Sequence, residues 1–162
     1  MTTKTPGTIK TTVPAIEGWF TDGEQPALIG ARCATCATYL FPPPSTTYCP
    51  NPACDGQELA RVELSSTGTI WSYTDARYQP PPPYIVPTDE HEPFAIAAVE
   101  LRDEGLVVLG QVARGIGVEE LKVGDEVRLV LDTLYEDDDH AYTVWKWAPA
   151  GHAAQAPDGA AR

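Results

Sequence analysis

Cys33-Ala34-Thr35-Cys36 and, after twelve intervening residues, Cys49-Pro50-Asn51-Pro52-Ala53-Cys54 hold all four cysteines of the chain. Two close thiol pairs joined by a loop of that length fit a tetrahedral four-cysteine zinc site, because each pair makes a tight knuckle and the loop between them folds the knuckles together. The spacing therefore predicts a zinc ribbon over residues 33–54, with one zinc ion per chain held by Cys33, Cys36, Cys49 and Cys54. The second knuckle is wider than the usual two-residue gap but stays within the range of structural zinc sites. Two disulfides are the competing reading; no secretory signal precedes the cysteines, and a reducing cytosol would keep them as thiols. A redox Cys-x-x-Cys is disfavoured because no βαβ pattern surrounds Cys33 and Cys36. With four thiolates the metal has no open position for water or substrate, so its expected role is structural. A module of about twenty residues cannot bury enough apolar surface alone, and metal binding in comparable sites supplies roughly 10 kcal/mol or more.

Outward from the ribbon, residues 1–12 are polar and aperiodic and read as a mobile arm. Residues 14–20, Pro-Ala-Ile-Glu-Gly-Trp-Phe, are predicted as a short helix opened by Pro14, with Ile16, Trp19 and Phe20 on one side. That face either covers the ribbon and main domain or offers Trp19 and Phe20 to a partner. Residues 27–31 and 39–41 are expected to be the strands entering and leaving the first knuckle. Together residues 13–58 make a helix-plus-ribbon unit. Arg32, beside the first cysteine, is a candidate anion contact or a solvated surface residue.

Beyond Cys54 the pattern changes to alternating β-branched and aromatic runs separated by turn residues. Residues 59–64 and 69–75 read as one long strand, bent near residues 65–68. Residues 94–101 and 106–112 form a hairpin around Asp103-Glu104-Gly105, and residues 126–135 and 142–148 form another around an acidic turn, with a short helix at 118–122 between them. Five strands in this order, the first long and a small helix after the third, predict a mainly β chain with an OB-type barrel over residues 59–149. Residues 150–162 collapse to Ala, Gly and Pro and read as a disordered tail.

The net charge of −12 opposes nucleic-acid or anionic-membrane binding, both of which need a basic surface. No apolar run approaches a membrane span, and a cytoplasmic location is expected. The chain also lacks a Gly-x-Ser-x-Gly elbow, a Walker loop, a dinucleotide fingerprint and a His-Glu-x-x-His. Among the three histidines, His91 between Glu90 and Glu92 is the only candidate base, and only under a partner that closes over it. The proline run at residues 80–83, flanked by Tyr78 and Tyr84, is either a stiff connector or a docking segment.

Gly30-Ala-Arg-Cys-Ala-Thr-Cys, Tyr39-Leu-Phe-Pro-Pro, the spaced second cysteine pair, Gly68-Thr-Ile, Pro93-Phe-Ala-Ile-Ala-Ala-Val-Glu-Leu and Val123-Gly-Asp-Glu-Val together resemble the acyl-CoA-associated OB-fold proteins filed as domain of unknown function thirty-five. The resemblance covers residues 15–148. It implies an N-terminal helical segment, a rubredoxin-like zinc ribbon and an OB barrel, paired with a thiolase-like enzyme acting on acyl-CoA thioesters. The similarity is strongest to the accessory subunit of actinobacterial steroid side-chain aldolases, in which the retro-aldol catalytic groups come from the thiolase-like partner. The longer second knuckle is one departure, affecting the loop and not the ligand set. The resemblance implies no catalytic residue in this chain, and an acyl-CoA substrate held mainly by the partner. Any direct CoA contact would draw on Arg32, Arg61, Arg77, Arg114 and Lys146. The alternatives are a single-stranded nucleic-acid-binding OB module stacking bases on Trp71 and Tyr73, an accessory subunit of a thiolase or acyltransferase complex, and a self-contained thioesterase or acyltransferase.

Overall fold

The alternating runs after Thr67 fold as five strands that close on one another. The computed structural model of the chain describes residues 10–81 and 90–152. In chain order the strands are β1 (Thr11–Pro14), β2 (Ile29–Cys33), β3 (Tyr39–Leu40), β4 (Leu59–Glu63), β5 (Thr67–Ala76), β6 (Phe94–Leu101), β7 (Val107–Val112), β8 (Glu126–Glu136) and β9 (His140–Pro149), with one 3₁₀ turn at Val118–Glu120. Antiparallel pairing joins β5 to β6, β6 to β7, β8 to β9 and β8 to β5. The ring closes where β7 meets β9 in parallel, Gln111 opposite Lys146 and Val112 opposite Trp147. Closure of this kind, with the small helical turn after the third barrel strand, is the OB barrel. It leaves these strands without a free edge except where β8 and β9 run on past the ring.

Period-two alternation sorts the barrel residues into inside and outside. Ala95, Ala97, Val99 and Leu101 of β6 point inward, against Ile70, Val127, Leu129 and the fully buried Trp147. The small residues are there because the ring is filled by indoles. At Gly110, opposite Ala97 on β7, a Cβ would stand 2.7 Å from Trp147 Nε1. A glycine inside a strand commonly marks such a close approach.

The ribbon has its own three-stranded sheet, in the order β3-β2-β4. Here the structure corrects the expected long bent strand. Residues 59–63 pair with β2 of the ribbon, Ile29 opposite Glu63 through Cys33 opposite Leu59, and not with the barrel. The chain breaks direction after Leu64, where Ser65 N–H donates to Glu104 and Ser65 Oγ to Asp103 at the β6–β7 turn. The strand irregularity falls later, between Ile70 and Ser72. The ribbon's last strand therefore lies beyond the expected boundary at residue 58.

The predicted helix over residues 14–20 is also absent. Gly18 adopts φ +79°, a left-handed value that breaks any helical run, and Phe20 bridges antiparallel to Leu28. Thr11 and Thr12, expected in a mobile arm, instead lie in β1, which runs parallel to β9 from Thr11 opposite His140 to Pro14 opposite Thr143. The apolar spacing that looked helical serves packing. Trp19, Phe20 and Phe41 surround Trp145, with ring centroids 6.1, 5.9 and 5.8 Å away. Phe20, Leu28 and Leu64 belong to the same apolar core as the barrel. At the other end of the chain Ala150 N–H donates to Glu126 and Arg128 donates to the His152 carbonyl. The remainder of the expected tail and arm lies outside the described residues. Among the described residues no helix is long and apolar enough to cross a membrane.

Candidate metal centre and partner surface

The first knuckle is built by β2 running straight into Cys33. Cys33 N–H donates to the Thr38 carbonyl and Ala37 N–H returns to the Cys33 carbonyl, each at 3.0 Å, with Ala37 in the left-handed region at φ +61°. The second knuckle uses its two extra residues to make an Asx-type turn: Ala53 N–H donates to Asn51 Oδ1 at 3.0 Å, and Cys54 N–H to the Asn51 carbonyl at 2.9 Å. Cys49 N–H donates to Gly56 across the knuckle. Gly56 has to be glycine here, since a Cβ would stand 2.9 Å from Cys33 Sγ.

These turns bring the four sulfurs together, all within 4.8 Å of one another. Cys36 and Cys49 are 3.6 Å apart and Cys33 and Cys54 3.9 Å. A disulfide needs about 2.05 Å, so the four are thiols, and the disulfide alternative falls. The edge of a tetrahedron with metal–sulfur bonds of about 2.3 Å is roughly 3.8 Å, so the cluster can hold a metal ion. The sulfurs are not equivalent. Thr38 Oγ1, 3.1 Å from Cys36 Sγ, together with the Thr38 N–H, brings the Cys36 thiol down to about 6. At Cys49 the Asn51 N–H lowers the value, but burial and the neighbouring sulfurs outweigh it and push the thiol up to about 12. A second layer holds the ligands: Asn51 Nδ2 reaches Cys36 Sγ at 3.8 Å and Thr38 Oγ1 at 3.5 Å, and Gly56 N–H donates to Cys54 Sγ at 3.3 Å. Sequence reading passed over Thr38 and Asn51; an asparagine two residues after a ligand cysteine is the signal that marks this turn.

The other singled-out residues scatter. Phe20 is buried and has no surface to offer a partner, while Trp19 is half-buried against Phe41 and Trp145. The exposed Arg32 lies over the Tyr39 ring at 5.5 Å, its cross-strand neighbour. Tyr78 is exposed, and Tyr84 lies outside the described residues. His91 is half-buried, with Nε2 3.0 Å from the Ala76 carbonyl and its ring edge-on to Phe94, so it ties together the two ends of the β5–β6 connection. The five cations considered for CoA do not converge. Arg61 shares a face of the ribbon sheet opposite to Arg32 and donates to the Gly18 carbonyl, Arg77 pairs with Asp75, and Lys146, nearly fully buried, pairs with Asp132 at 2.8 Å. Two shallow clefts, of about 310 Å³ beside Glu100 and Arg102 and about 300 Å³ beside Trp19 and Arg61, bring no nucleophile to a base.

A family model for the C-terminal OB-fold domain of ChsH2 matches residues 61–132. The benzoylsuccinyl-CoA thiolase subunit BbsA of Thauera aromatica is 30% identical over 118 residues, which cover 73% of this chain and 72% of that protein. The chain belongs to the ChsH2-type OB-fold (DUF35) family. Within the solved structures it is similar to a chain of the Ltp2-ChsH2(DUF35) aldolase, at 29% identity and a TM-score of 0.57 over 76% of this chain and 85% of that one. A "probable enoyl-CoA hydratase alpha subunit" of Thermomonospora curvata is 31% identical over 128 residues, 79% of this chain. The chain spans only 36% of that longer protein. The DUF35 match explains why one core unites ribbon and barrel.

Proposed function

We propose that this chain is a cytoplasmic, non-catalytic accessory subunit of a thiolase-like complex acting on acyl-CoA thioesters, with one structural zinc ion, and that the complex is a steroid side-chain-cleaving retro-aldolase. The observation that carries the reading is the pairing of a four-sulfur cluster with a shared-core barrel in which the described residues assemble no nucleophile and base. The kinship to BbsA and to the Ltp2-ChsH2(DUF35) aldolase chain supports a thiolase-type partner.

Zinc bound by Cys33, Cys36, Cys49 and Cys54 would supply rigidity, because four thiolates leave it no open position. This chain's own residues then do the rest of the positioning. Trp19, Phe20 and Phe41 lock the ribbon onto Trp145, so a partner meets ribbon and barrel as one rigid body. The proton transfers and carbon–carbon bond chemistry belong to the partner, as does the grip on the CoA phosphates, since the cations here are dispersed or already paired.

Co-expression with the thiolase-like protein encoded beside it tests the reading. The expected result is a stable complex with one zinc per accessory chain and acyl-CoA turnover that neither subunit shows alone. A thiolase-like protein equally soluble and active without this chain would end it. The exposed Trp71 favours a nucleic-acid-binding OB module as second reading; titration of a labelled single-stranded oligonucleotide at low salt separates the two.

A further inference from the structure

Of the four tryptophans, three belong to the core or its margin and one does not: Trp71 is 61% exposed. It is the extra residue of the irregularity between Ile70 and Ser72 on β5, which sets it beside Ala98 of β6 on the outer wall. Ala98 in turn faces Leu109 of β7, itself 65% exposed, and Val107, two residues back along that strand, is 47% exposed. Three neighbouring strands thus present an apolar strip where alternation calls for polar residues. Contiguous apolar surface of this kind marks an interaction site, and strands two and three of an OB barrel, here β6 and β7, form the face such barrels commonly use.

Charge identifies the occupant. Strands β5, β6 and β7 contain no lysine or arginine, and their outward carboxylate, Glu100, opposite Val107, has no ion pair among the described residues. The nearest cation after β6, Arg102, is already paired with Glu126. A polyanion such as nucleic acid or the CoA phosphates finds nothing to bind here and is repelled by a chain of net charge −12. A protein surface that is apolar at its centre and basic at its rim is what this face complements. We infer that the outer wall of β5, β6 and β7, centred on Trp71 and Leu109, docks the thiolase-like subunit, and that the matching surface of that subunit is apolar and edged with lysine or arginine. The inference rests on the proposed function and specifies its interface.

The experiment compares Trp71→Glu, Leu109→Glu and Tyr48→Glu chains, the last altering an exposed aromatic of the ribbon loop, for capture of the co-expressed thiolase-like protein. Each variant is first checked for unchanged circular dichroism and metal content. The expected result is a loss of about tenfold or more in affinity for the first two and none for Tyr48→Glu, with Glu100→Lys weakening capture most at low salt. Complex formation should also blue-shift tryptophan emission in the parent and not in Trp71→Phe. If the parent captures the partner and Trp71→Glu and Leu109→Glu do so equally well, the docking face lies elsewhere and only this inference is overturned. Failure of the parent itself to bind would overturn the proposed function. Sedimentation showing a parent dimer that Trp71→Glu dissolves would give the face to a second copy, and oligonucleotide binding lost in Trp71→Glu would give it to nucleic acid; either overturns the inference.

Discussion

Replacing Gly110 by alanine adds one methyl group at the most crowded point of the barrel. That Cβ would stand 2.7 Å from Trp147 Nε1, 2.8 Å from Trp147 Cδ1 and 2.9 Å from Trp145 Nε1. Heavy atoms in good contact are about 3.5–4.0 Å apart, so each approach is short by roughly 0.6 Å or more. Neither ring can retreat. Trp147 is fully buried and Trp145 is wedged among Trp19, Phe20 and Phe41. Overpacking costs about 1–3 kcal/mol, and three short contacts with rigid rings put Gly110→Ala near the top of that range, ~3 kcal/mol. For a chain of this size ~1 kcal/mol moves Tm by about 2–4 °C, so the expected drop is roughly 6–12 °C. The neighbouring exposed Leu109→Ala is the control, expected to stay within about 2 °C. Thermal melts followed by circular dichroism, at matched protein concentration and metal loading, make the comparison. A Gly110→Ala chain melting within about 2 °C of its parent would refute the claim that the indoles fill the barrel up to the β7 backbone.

Other expectations follow from the same geometry. Cys49→Ser should leave metal content near zero by elemental analysis and loosen β2, β3 and β4, seen as faster amide exchange there than in the barrel. Thr38→Val and Asn51→Ala remove the second layer around Cys36 and should speed metal release to a colorimetric chelator by about 10-fold or more, with full loading at the outset. Asp132→Ala strands a Lys146 ammonium that is only 6% exposed, and should cost up to about 3 kcal/mol in denaturant unfolding, clearly more than Lys146→Met, which leaves an aspartate that is 30% exposed and can reach water. The Asp137 carboxyl, held below its usual range first by the Asp139 N–H, then by the His140 N–H and the Tyr142 hydroxyl, contributes stability fully present above the unfolded value near pH 3.9 and lost as pH falls through the folded one. Carbon-13 titration of that carboxyl checks the direction; a midpoint at or above that of a model peptide refutes it.

What could be read beforehand was what depends on neighbours in sequence. The cysteine spacing and the two long hairpins are local facts, and Phe94–Leu101 and Val107–Val112 fell where alternation put them, within a residue. What could not be read was set by distant partners. Nothing within residues 11–14 announces a strand that is completed only by residues 140–143, and spacings of three and four at Ile16, Trp19 and Phe20 describe a turn wrapped round Trp145 as well as they describe a helix. Leu59–Glu63 has the composition of a barrel strand; its allegiance to β2 follows from the direction change at Ser65, which depends on Asp103 and Glu104 some forty residues later. At the metal centre the ligands were plain, whereas Thr38 and Asn51 became visible only once the knuckles had brought them to the sulfur.

The parallel pairing of β1 with β9 joins residues 11–14 to residues 140–143, almost the full span of the described chain. As the chain leaves the ribosome, its first strand has no neighbour until its last hairpin emerges, so this edge is completed at the end of folding whatever the order of the other steps. The ribbon and the first three barrel strands can form beforehand, but loss of β9 by truncation or nicking would free β1 at the opposite terminus and open the seam with β7 in the same event. A lesion near one end of the polypeptide is thereby felt at the other.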